Sequence, residues 1–584
     1  MLDVFRDSTV GLILNTVSNG RLLPFADQDP SWNVPPNLQA GSPSSSMSEG
    51  KKKQVATETT QQRPDDVEKG ISQYSSFYDS SVALQEGHGT DRKSPTLLKK
   101  QEGEVSAYEV PSTPEESSHV LVSWYDGNDQ DNPQNWSLGK RIFVLGLIAF
   151  LTFSVYIGSA IYTPSIPGVR EKFHVNQTTA TLGLSLYVIG YGIGPLIFSP
   201  LSELPLIGRT PIYIATLLIF AVLQIPTIYA KNIHTLLAMR FLAGFFGSPA
   251  LATGGASIQD MFSMIKLPYA LIVWSVAAVC GPVLGPVIGG FAAQNKDWRW
   301  PLFELLWLSS FAFIVLVFWL PETNAETILY RRAYRLRKRT GNMNLHSESM
   351  IRQSQMKGPE VLTTALVRPF QLMLEPVVFY VNLYLALAYA IFYLWFEAFP
   401  LVFVGIYHFN LGQSGLPFLG LFVTCFFTSA AYICWQYFHV EPLFKRQGYI
   451  VPESRLAVAL VASFFIPASL FIFGWTARPD VHWIAPTIGA ALYLPGLYLL
   501  FQSILVYLPS SYPRYAASVL AGNDLFRSSV AGAFPLFGRA LYTRLTIAGG
   551  CSLLAGLSIA LIPGLVILYI YGGKIRKRSK YAEA

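Results

Sequence analysis

Twelve apolar runs constrain this chain more than any other feature. They fall at about 142–163, 178–199, 211–230, 235–256, 269–292 and 301–320, then at about 376–402, 415–438, 456–475, 482–507, 515–537 and 549–572. Each approaches the roughly 20 residues that a helix needs to cross about 30 Å of hydrocarbon. Lipid offers no partner to a bare amide or carbonyl, so a run of this length must pair its backbone internally as a helix. The sequence predicts an all-α integral membrane protein with twelve transmembrane helices in two six-helix halves. A tail over 1–139 precedes the first bundle, 140–320. A central loop, 321–374, leads to the second bundle, 375–572, and a basic tail, 573–584.

Charge supports that division. Only 14% of the 584 residues are charged, where a soluble chain carries about 25%. Residues 1–139 hold 20 Asp or Glu against 11 Lys or Arg, and the remainder holds 16 against 32. These basic residues punctuate apolar runs and gather on no polar domain, which points to loops beside membrane spans and away from nucleic acid. With the tail in the cytosol, 22 of them fall on the inner side and eight on the outer. Both termini are therefore expected in the cytosol, with the basic run 331–339 against anionic lipid. Composition predicts disorder over 41–118 and a short membrane-surface helix over Val4–Leu23. Asn176 heads a glycosylation sequon in the first outer loop. Cys280, Cys425, Cys434 and Cys551 lie in apolar runs without CxxC spacing, so packing is expected of them, with no metal.

Three patterns carry more than packing. Between spans 2 and 3, GPLIFSPLSELPLIGRTPIY brings small residues and the charges Glu203 and Arg209 to one rim, as a latch between helix ends or a charged cap. In span 4, Arg240, Gly244 and Gly247 are spaced i, i+4, i+7 and share a face. An arginine at that depth costs about 2.5–3.5 kcal/mol, so it faces a cavity or a partner unless it snorkels to the outer interface. In span 5, CGPVLGPVIGG repeats Gly281, Gly285 and Gly289 every fourth residue, a groove for close helix approach, with Pro282 and Pro286 bending the helix.

On these motifs the chain resembles the major facilitator superfamily, and within it the twelve-span fungal drug:proton antiporters, over about residues 130–572. Gly194, Ser202, Glu203, Gly208 and Arg209 match that family's loop 2–3 motif, with Glu203 in place of the usual Asp and two extra residues before the Gly-Arg pair. Arg240 and Gly244 match its span 4 motif, linked there to proton coupling. Gly281, Gly285, Pro286, Gly289 and Gly290 match its antiporter motif. DNPQNWS, YTPSIPGV, WRWPLFE and NDLFRSSVAGAFPLFGRALY recur in fungal exporters of benomyl, cycloheximide and azoles. The resemblance implies a plasma-membrane exporter of hydrophobic drugs, fungicides or toxins. It implies exchange for protons by alternating access, with no cofactor beyond the proton gradient, in a monomer. Export or uptake of one native solute, such as a polyamine or a secondary metabolite, is the alternative.

The residues themselves add candidates. Asp524 and Arg527 in span 11 are i, i+3 neighbours able to pair, either as a neutral lock between helices or as a titratable site. Asn382, Tyr389, Tyr393 and Glu397 run down one face of span 7, and Gln502 adds a polar group in span 10; planar cations stack on such rings. Arginine stays charged, so Arg240 would act on an acid. Spans 1 to 5 read as acid-free, which makes Asp524 the first expected partner and Glu397 the second. No HxxxH, GxSxG or P-loop occurs, so a membrane enzyme or primary pump is disfavoured, as is a sensor.

Overall fold

The computed structural model describes residues 2–29, 31–33, 35, 38, 120–355 and 358–582; the stretch 41–118, expected to be disordered, lies outside them. Spans 1 to 10 are Leu138–Phe173, Gln177–Glu203, Arg209–Ile228, Ile233–Met261, Leu267–Asn295, Trp300–Trp319, Pro376–Val404, Gln413–Gln447, Pro452–Thr476 and Ile484–Ser511. A final helical segment, Pro513–Arg576, runs for 64 residues. At 1.5 Å per residue it would reach about 96 Å, three membrane cores end to end. It does not, because Thr546 takes φ 64° and ψ 166° and breaks it. Spans 11 and 12 are thus 513–545 and 547–576, which makes twelve. An even count puts both chain ends on one face, here the terminal face; the other is the far face.

Glycine sets how closely the spans approach. A Cβ on Gly281 would lie 2.8 Å from the Ile157 amide nitrogen, and one on Gly285 2.7 Å from that of Ile161. On Gly289 it would meet the Ile161 carbonyl at 2.7 Å. Span 5 therefore rides on the backbone of span 1. Gly244 in span 4 meets the Tyr187 carbonyl of span 2 as closely. Gly285→Leu should push spans 1 and 5 apart at an overpacking cost of about 1–3 kcal/mol. The expected result is lost transport with normal surface protein, read by efflux beside surface labelling.

The stretch 321–374 is more than a loop. It holds helices Ala325–Thr340, Glu348–Gln355 and Gly358–Met373, and its strand Leu345–Ser347 pairs with the strand ending at Val122. The first helix carries the basic run, and the structure redirects it from lipid to protein. Arg332, 1% exposed, donates to both oxygens of Asp129 at 2.6 and 3.1 Å and to Asp131 at 2.7 Å. Arg335 donates to Asp27 at 2.9 Å, and Arg339 to the carbonyls of Asp27, Asp29 and Trp32. The tail's two described stretches thus fasten to this helix. Its helix Thr9–Val17, capped by Ser8, bridges at Ser8 to Pro321 and leaves Ile13, Leu14 and Val17 exposed.

This collar is held by charge. Burial alone would raise the Asp129 carboxyl, but hydrogen bonds from Arg332 and from the Tyr125 and Asp131 amides bring it below its ordinary 3.8. A depressed acid stabilises fully above its unfolded value and loses that contribution as pH falls through the folded one. Hydrogen exchange over residues 120–132, corrected for its intrinsic pH dependence, should therefore stay slow at neutral pH and quicken only below about 3.8. Arg332→Ala should quicken it at every pH, at about 3 kcal/mol for a broken buried pair.

Candidate functional site

At the terminal face the loop 2–3 motif forms a latch, but with other acids than expected. Arg209 pairs with Asp260 at 3.1 Å, while Glu203 is exposed and holds no ion pair among the described residues. The span 4 helix runs on to Met261 and carries Asp260 with it, so spans 1 to 5 are not acid-free. Glu322, just past span 6, accepts from the amides of Arg209 at 3.2 Å and Thr210 at 3.3 Å. Gly208 turns at φ +83°, where a Cβ would strike the Glu322 carboxylate.

Arg240 neither snorkels nor meets an acid. It is fully buried, with Nε donating to the Gly183 carbonyl at 3.0 Å and Nη2 to Gly158 at 2.8 Å and Ser159 at 3.4 Å. Its guanidinium carbon lies 4.8 Å from the Tyr162 ring centre and 4.5 Å from that of Tyr187. These carbonyls and rings hold the cation in place of the expected Asp524 or Glu397, and its Nη1 stays buried without a protein partner. Arg240 thereby binds spans 1, 2 and 4 into one unit.

The remaining candidates converge between the halves. Tyr191 of span 2 shares hydrogen bonds with Tyr389 at 2.8 Å and Tyr393 at 3.1 Å, both of span 7. Tyr393 donates to the Ser159 hydroxyl at 3.2 Å, beside a carbonyl that Arg240 holds. Asp524 pairs with Arg527 and accepts from Ser528 at 3.5 Å. Arg527 stacks 4.4 Å from the Tyr389 ring centre and 5.1 Å from that of Phe501. Asn523 donates to Asn382 at 2.7 Å. Nearer the far face, Glu397 accepts from Thr181 at 2.9 Å and Gln177 at 3.5 Å. Gln502 stands apart, donating to Tyr498 at 3.3 Å, while Tyr498 reaches the Ile272 carbonyl at 3.2 Å.

Several polar atoms here are buried without a protein partner: Asp524 Oδ2, Arg527 Nε, Asn382 Nδ2 and the Tyr156 hydroxyl. Each such group costs about 1–3 kcal/mol, so the cluster is chemically unfinished. It has room in its bonding for a proton, a water or a ligand's polar group, held among aromatic rings. Sequence reasoning missed the first-half contributors Tyr156, Ser159, Thr181 and Tyr191. One signal was available: Tyr187 and Tyr191 repeat the four-residue spacing of Tyr389 and Tyr393. Asn176 caps span 2 by accepting from the Thr179 amide at 2.7 Å.

A family model described as Major Facilitator Superfamily matches residues 148–535. Cycloheximide resistance protein of Candida maltosa is 42% identical over 501 residues, covering 84% of this chain and 91% of that protein. Fluconazole resistance protein 1 of Saccharomyces cerevisiae is 43% identical over 475 residues, 80% of this chain and 86% of that one. Among solved structures, the human organic anion transporter MFSD10 (TETRAN) matches with a TM-score of 0.50 and 16% identity, over 74% of this chain and 100% of that chain. That last likeness speaks for the fold alone.

Proposed function

The chain belongs to the Major Facilitator Superfamily, and from that premise we propose that it exports hydrophobic, drug-like small molecules from the cytosol in exchange for protons. It is a multi-pass membrane transporter, and the two halves alternate access to the cluster between them. The observation that carries the reading is the unfinished Asp524–Arg527 pair. It joins a titratable acid to stacking rings at the seam of the halves, so proton and substrate compete for one place. The names of the relatives, resistance to cycloheximide and to fluconazole, support a site tolerant of unlike apolar molecules. Tyr389, Tyr393 and Phe501 suit that tolerance, since ring faces accept many shapes. The proton gradient supplies the energy, no cofactor is used, and the monomer in its bilayer is the working unit.

The terminal face is cytosolic in this proposal, on the ratio of 22 to eight basic residues, and the membrane is the plasma membrane, as export from the cell requires. An impermeant thiol reagent applied outside should label a cysteine placed at Lys296 and miss one at Lys338; the reverse would invert the orientation. Transport itself is tested in inverted plasma-membrane vesicles given cycloheximide or fluconazole and an imposed pH gradient, acid inside. Accumulation that collapses with the gradient supports the exchange. Accumulation indifferent to it removes the proton coupling, and none with either compound removes the drug reading.

A further inference from the structure

The two faces are closed by different means. At the far face, beside the Glu397 bonds to Thr181 and Gln177, backbone packs directly on backbone. A Cβ on Gly415, at the start of span 8, would lie 2.5 Å from the Pro286 carbonyl of span 5, and one on Gly290 would lie 3.0 Å from the Leu411 carbonyl. The Gly412 amide donates to Gln294 at 2.7 Å. Little can shift there without the spans moving whole.

The terminal face is closed by side chains. Glu441 belongs to span 8 and follows a π-helical turn, Gln436–Val440; such turns interrupt regular helices at functional positions. Its carboxylate reaches across to the first half, accepting from Lys266 at 3.1 Å and from the Tyr269 hydroxyl at 2.8 Å. Lys445, one turn along its own helix, adds a contact at 3.1 Å. The carboxylate side chain is 9% exposed, whereas the Lys266 and Lys445 side chains are 54% and 61% exposed. Beside this joint lies a cavity of about 100 Å³, lined by Met264, Ile265, Tyr269, Phe444, Ile450 and Arg455. Packing at this joint is incomplete, and solvated lysines hold the carboxylate.

We propose that Glu441, through Lys266 and Tyr269, is the latch that keeps the terminal face shut, and that releasing it opens the transporter to that face while the far face stays sealed. The inference rests on the alternating-access reading above and adds a positioning residue to it. Glu441 touches neither the Asp524–Arg527 pair nor the tyrosine cluster in this structure. It acts by setting the population of the state open to the terminal face, which grows by whatever factor the latch had suppressed it.

The experiment reads opening directly and needs no substrate. In a full-length chain whose four cysteines are replaced by alanine, a single cysteine is placed at Ser275, which is fully buried in span 5 about two and a half turns from Lys266. Its alkylation is timed in inverted vesicles, where the terminal face meets the reagent. Glu441→Gln should speed alkylation at least fivefold, and Lys266→Met, a change at an exposed side chain, should speed it less. The double variant should match Glu441→Gln alone, since both changes break one contact. A cysteine at Gln177, at the far face, should keep its rate in right-side-out vesicles, where the far face meets the reagent. Unchanged rates at Ser275, equal acceleration at both faces, or additive effects in the double variant would each overturn the latch. These readouts stand whether or not cycloheximide is carried, so failure of the latch and failure of the export reading are told apart.

Discussion

Asp524→Asn is expected to reduce gradient-driven accumulation to that of vesicles lacking the protein. Asparagine keeps the volume and can still accept from Ser528, but it neither titrates nor carries charge. If the proton that drives export rides on Asp524, the variant retains the site and loses the coupling. The substitution also strands Arg527, 4% exposed, between the rings of Tyr389 and Phe501. A buried charge deprived of its partner costs about 3–5 kcal/mol, so a fall in protein level would mimic lost coupling. The double variant Asp524→Asn with Arg527→Gln removes both charges and should restore the amount of folded protein. Its accumulation should remain at background. Gradient-driven accumulation in either variant would transfer the carrier role to Glu397, the remaining carboxylate held between the halves near this cluster.

The spans were legible because hydrocarbon imposes length and apolarity on each of them locally. The glycine groove of span 5 was legible for a related reason: a missing side chain is a property of the residue itself. The partners of Arg209 and Arg240 were not. Asp260 lies where an apolar run fades, and only the continued helix shows that it stays within reach of Arg209. Arg240 is held through Nε and Nη2 by carbonyls of Gly158, Ser159 and Gly183. Every residue owns a carbonyl, so such acceptors leave no trace in a sequence. The collar was hidden differently. Its arginines and its aspartates are some 200 to 300 residues apart, and a basic run beside a membrane reads most simply as lipid-facing until tertiary structure supplies the acids.

Those carbonyls change what Arg240 should do when replaced. Arg240→Ala removes every donor from the three carbonyls and the cation from between Tyr162 and Tyr187, so export should fall to background with surface protein held equal. Lysine keeps the charge but offers one nitrogen in place of a planar fork. Its single nitrogen replaces the two, Nε and Nη2, that reach Gly183 on span 2 and Gly158 on span 1, and weakening one such bond by about 1.4 kcal/mol leaves on the order of a tenth of the rate. The shape of the pH profile separates two roles for this residue. A cation that tuned an acid would lower that acid's pKa, so weakening it would move the midpoint of efflux against outer pH. Arg240 touches no acid in this structure; it braces Ser159, which in turn receives Tyr393 from the other half. Arg240→Lys should therefore lower the amplitude of efflux and leave its midpoint in place. A midpoint displaced by about one unit would mean that Arg240 meets a carboxylate in another conformation of the cycle, and its role would then be electrostatic after all.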